Sequence, residues 1–122
     1  MRLIEAGGLR IAALEAGGAK LDSEQAALDA IGEAHGVDFD LLAIPKERPA
    51  PDFLTLRTGL LGAVTQKFVN YSLRVAFIGD FSAEIAASGA LRDYVRETNT
   101  RGQILFAATL EDAAALARHK AH

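Results

Sequence analysis

Hydrophobic positions along the chain fall into two kinds of run. Leu60, Leu61, Val64, Phe68 and Val69 recur at i, i+1, i+4, i+8 and i+9, the stripe of an amphipathic helix. Leu73 to Ile78 is instead a short apolar run that stops at Gly79-Asp80. A strand covered on both faces has that pattern. The stretch from Thr55 to Ser82 therefore predicts a helix feeding a central strand, with a polar loop beyond.

The flanking segments extend the alternation. Arg2–Glu5 and Leu9–Leu14 are short apolar runs separated by Ala6-Gly7-Gly8, which predicts two strands joined by a tight turn. Asp22 or Ser23 suits the cap of a helix over about 24–34, with Ala27, Leu28, Ile31 and Ala34 inward and His35-Gly36 ending it. Leu41–Ile44 reads as the next strand. All three prolines lie in the segment 45–51, which predicts a surface loop. A helix over 90–99 places Leu91, Tyr94 and Val95 on one side, with Ser88 or Ser82 as cap. Gln103–Ala107 reads as the last strand. Thr109 caps a final helix with Ala113, Leu116 and Ala117 inward; 119–122 is expected to be a loose tail. The order ββαβαβαβα predicts one α/β domain over 1–122: a mixed, mostly parallel five-stranded sheet with helices packed on it.

Composition narrows the function classes. A chain of 122 residues, half of them hydrophobic, is one globular domain. Net charge is −3 and lysines and arginines form no stripe, which argues against nucleic acid as a partner. With no cysteine, disulfides, thiolate metal sites and cysteine nucleophiles are excluded. No basic segment followed by an apolar run opens the chain, and no apolar run approaches ~20 residues, so the expectation is a cytoplasmic protein without a membrane span. No glycine-rich phosphate loop, Gly-x-Ser-x-Gly elbow or paired carboxylate motif is present.

Several blocks resemble a known bacterial family. These are Asp52-Phe53 with Leu56, Thr58-Gly59-Leu60, Gln66-Lys67-Phe68, Asn70-Tyr71, Ile78-Gly79-Asp80-Phe81-Ser82 and Ala90-Leu91-Arg92-Asp93. The chain is identified on them as a member of the domain of unknown function numbered 4180, whose name implies no activity. Its element order also resembles the STAS fold of sulfate-transporter tails and anti-sigma-factor antagonists. In that family a strand is followed by an Asp-Ser-Ser-Gly or Asp-Ser-Thr-Gly turn that opens a helix and carries a phosphorylated hydroxyl. The matching place here is Leu56-Arg57-Thr58-Gly59-Leu60, so the resemblance implies Thr58 as the modified residue. Leu56 stands where the aspartate would be, and Arg57 where a small hydroxyl is usual.

Three groups of residues are candidates for chemistry. Thr58, with Arg57 and Gly59, opens a helix, where a phosphate meets free amides and the positive dipole end; Thr55 or Thr58 equally suits a plain cap. Asp80, Phe81 and Ser82 lie beyond the carboxyl end of a central strand, where open parallel sheets place ligands; an Asx turn is the plainer alternative. Lys67, Asn70 and Tyr71, with Gln66, close the organising helix as an interaction surface, or as helix-end chemistry with Asn70 in the left-handed cap. His35, His119 and His122 have no metal-ligand spacing, so no metal or cofactor is expected.

The reading that follows is a non-enzymatic regulatory or protein-interaction module with a protein partner; a homodimer is among the partner expectations. Its alternative is a small-molecule or lipid-binding domain, with Phe53, Leu56, Phe77 and Phe81 lining an apolar pocket. An enzyme using Asp80, a hydrolase or transferase, is the third.

Overall fold

The computed structural model describes residues 1–119. Strands β1 (Arg2–Ala6) and β2 (Leu9–Ala13) are followed by α1 (Glu24–Glu33) and β3 (Leu41–Pro45). A short 3-10 turn (Leu56–Thr58) leads into α2 (Leu60–Asn70) and β4 (Val75–Ile78). The chain then runs through α3 (Ser82–Ala87), α4 (Gly89–Arg101), β5 (Ile104–Ala107) and α5 (Leu110–His119). The expected five-stranded, mostly parallel sheet is present. β1 is antiparallel to β2, and β2 through β5 are parallel in the order β1-β2-β3-β4-β5.

The opening hairpin follows from two glycines. Gly7 and Gly8 have φ of 57° and 81°, the pair of positive values that a two-residue loop with the right twist requires.

Strand order fixes the layers. Right-handed crossovers between successive neighbours put every crossover helix on one face of the sheet. Accordingly α1, α2 and α4 share one core with Ala12, Leu42, Ile44, Val75, Phe77 and Phe106. The other face carries Ile11, Leu41, Ala43, Ala76 and Leu105, and α5 alone covers it through Ala113, Ala114 and Ala117. The two cores differ in grain. The first is aromatic: Phe53 lies 5.4 Å from Phe77, which stacks on Phe106 at 5.2 Å. The second sets the alanines of α5 against a sheet face of alternating alanines and larger aliphatics, Ile11, Leu41 and Leu105. β4 lies between β3 and β5, and Val75, Ala76 and Phe77 are fully buried, as its apolar run predicts.

Several local readings change. In α1 the buried residues are Ala27 and Ala30, while Leu28 and Ile31 are half-buried. The left-handed residue after α2 is Ser72 at φ 59°, not Asn70, which is still helical. The segment after Ser82 forms its own helix, α3, and extended Ser88 separates it from α4. The helix of α5 reaches His119; the rest of the expected loose tail lies outside the described residues.

Candidate functional site

The loop from Lys46 to Thr55 returns over the carboxyl ends of β3 and β4, and one buried cation holds it there. Arg48 is 1% exposed. Its guanidinium donates to the carbonyls of Ala19 and Glu15 and to both carboxylate oxygens of Glu33, the nearer at 2.6 Å. A bridge between Leu21 and Pro49 and the fully buried Phe53 complete the anchorage. The proline-rich segment is therefore a fixed wall.

Opposite that wall stand α3 and the start of α4, and between them runs a groove of about 530 Å³. Pro49, Pro51, Leu54 and Leu56 line one side; Phe81, Ala87, Ala90 and Leu91 line the other. Lys46 sits at its base, where Gly79 lets the two strands' ends meet. A Cβ on Gly79 would fall 2.7 Å from that of Lys46. The Lys46 ammonium pairs with Glu84 Oε2 at 2.7 Å, donates to the Asp80 carbonyl and lies 5.2 Å from the centre of the Phe81 ring. Hydrogen bonding from Lys46 holds the Glu84 carboxyl below the usual carboxylate range. Its other oxygen, Oε1, is buried without a donor among the described residues.

The predicted site residues separate into two places. Asp80, Phe81 and Ser82 do lie at the strand end. Asp80 Oδ1 accepts from the Ser82 hydroxyl at 2.6 Å and from its amide at 2.9 Å, an Asx turn that starts α3. These two bonds lower the Asp80 carboxyl, with Lys46 adding to the effect. Phe81, 5% exposed, packs edge-on against Phe106. Arg57 lines the same groove, is exposed, and has no ion partner among the described residues. Thr58 is exposed beside it; its hydroxyl donates to the Thr55 carbonyl and accepts from the Leu60 amide at 3.2 Å. Gly59 follows in the left-handed region at φ 76° and enters α2.

Lys67, Asn70 and Tyr71 are at the far end of α2, about 12–18 Å along its axis from Gly59. Lys67 pairs with Glu24 of α1 at 3.5 Å, Gln66 donates to Asn70 at 2.8 Å, and Tyr71 is 56% exposed. They take no part in the groove. Of the expected apolar pocket, Phe53 and Phe77 are fully buried core residues, and only Leu56 and Phe81 reach the groove.

Lys46, Glu84 and the Arg48–Glu33 pair were not legible as site residues. Lys46 and Arg48 stood in a proline-rich loop directly after a strand, which was the available signal. Glu84 carried none.

No helix among the described residues is long and apolar enough to cross a membrane. The sequence model of the family described as "Domain of unknown function (DUF4180)" matches residues 6–116. No curated protein and no solved structure matches the chain.

Proposed function

The chain belongs to the DUF4180 family of domains of unknown function, and within it we propose a non-enzymatic module that binds a small amphiphile in the groove over β3 and β4. The observation that carries this is the groove's lining: mostly apolar on both walls, with Arg57 as a cation that no carboxylate among the described residues neutralises. Its volume falls among ordinary ligand sites, roughly 300–1,000 Å³, and it lies at the carboxyl ends of parallel strands. The ligand class that fits is an elongated apolar body with an anionic head at Arg57.

Two features favour binding over catalysis. Lys46 and Glu84 neutralise each other, and the Asp80 carboxylate is bonded to Ser82. Both carboxyls titrate below their ordinary range, so neither is poised to exchange a proton near neutral pH. The test is displacement of a fluorescent fatty acid, with two variants. Arg57→Gln is expected to weaken binding about tenfold, the loss of one charge-assisted contact. Ala87→Trp, which fills the groove, is expected to abolish it. Unchanged affinity in both variants overturns the reading.

A second reading keeps the STAS-like likeness: a regulatory protein contact switched by phosphorylation of Thr58. Exposure of Thr58 at the start of α2 supports it. Phosphopeptide mass spectrometry of the protein from its native cell tests it, and Thr58 unmodified under every growth condition ends it.

A further inference from the structure

The two edges of the sheet are finished differently. At β5 the side chain of Asn99 acts as a substitute strand: its amide nitrogen donates to the Phe106 carbonyl at 3.1 Å, and its oxygen accepts from the Phe106 amide at 2.8 Å. The middle of that edge is thereby saturated. At β1 no group among the described residues does the same.

The hairpin geometry says which groups β1 leaves open. With a two-residue loop at Gly7-Gly8, Ala6 and Leu9 form a hydrogen-bonded pair. Alternation along an antiparallel ladder then turns the backbone groups of Ile4 and Arg2 toward β2 and those of Glu5 and Leu3 outward; the amino group of Met1, outside the ladder, pairs with Glu15 at 3.3 Å. The same segment holds exposed apolar surface. Among the described residues three large hydrophobic side chains are exposed, and two of them are Met1 at 36% and Leu3 at 45%. Leu3 lies opposite Ala12, on the sheet face that α1, α2 and α4 cover elsewhere.

We propose that β1 pairs antiparallel with β1 of a second copy of this chain, about a two-fold axis at Leu3, joining two sheets into one of ten strands. An antiparallel edge is self-complementary under such an axis, which is why the fitting partner is another copy. Two centres join open groups: Leu3, which faces the partner's Leu3, and Ile4, which sets Leu3 opposite the partner's Glu5. The Leu3-centred register is the one that sets the two exposed leucines side by side, removing their surface from water.

The absence of cysteine makes the test clean. In a hydrogen-bonded antiparallel pair the Cα atoms are about 5.5 Å apart, within disulfide reach. Leu3→Cys is expected to cross-link to a covalent dimer under copper phenanthroline; Gln66→Cys, exposed on α2, is not. Sedimentation equilibrium of the unaltered chain is expected to give twice the chain mass, and Leu3→Lys, with unchanged far-ultraviolet circular dichroism, the monomer. A monomeric unaltered chain across the micromolar to millimolar range overturns the proposal. So does a dimer that survives Leu3→Lys, or a Leu3→Cys that cross-links no better than Gln66→Cys.

Discussion

Arg48 shows how much one side chain can decide. Its four polar contacts tie the proline-rich loop to the 15–19 segment and to the last turn of α1. Truncation would leave two carbonyls and the Glu33 carboxylate without their donor. Arg48→Ala is therefore expected to cost about 2–4 kcal/mol, read from urea unfolding, the order for leaving buried carbonyls without a donor beside a carboxylate that stays one third exposed. Gly18→Ala strikes the same point from outside, since its Cβ would overlap the guanidinium carbon of Arg48. Asp80 and Glu84 contribute to the acid response. Each is held below its ordinary pKa, 3.8 and 4.5, by bonds made only in the fold. A lowered carboxylate stabilises above its unfolded value, and that contribution is lost as pH falls through the folded one. Thermal unfolding temperature is thus expected to fall below about pH 4.5, and less steeply in Asp80→Asn.

At the scale of elements, legibility tracks how local the cause is. Caps were visible because each needs one hydroxyl beside one helix start. Ser23, Ser88 and Thr109 accept from the amides of Ala26, Leu91 and Asp112. Ser88→Ala is expected to destabilise by about 1 kcal/mol, measured by chemical unfolding, as α4 loses that acceptor. The strand β4 was visible in its apolar run. What was hidden depends on distant partners. Leu28 and Ile31 are larger than Ala30, yet Ala30 is the more deeply buried, and only the placement of α2 against α1 decides that. The cation Lys46 and the acid Glu84 lie far apart in sequence and meet because β3 and β4 are neighbours. Thr58 ends the 3-10 turn one residue before Gly59, the cap of α2, and the residue that turns the chain after α2 is Ser72, whose neighbours carry no sign of it.

Seen whole, the molecule has an aromatic side and an alanine side. The aromatic side depends on filling volume, the alanine side on keeping it small. Ala76→Leu, beneath α5, is expected to destabilise by about 1–3 kcal/mol through overpacking, checked by thermal unfolding. Both the groove and the open sheet edge lie at borders of the aromatic side, where its covering helices stop. The alanine side has a different consequence, for birth rather than for binding. A ribosome delivers the sheet and its three crossover helices first and α5 last. Until those final turns emerge, one apolar surface of the finished sheet has no cover, so a nascent chain stalled before Leu110 should attract chaperones that the released protein no longer needs.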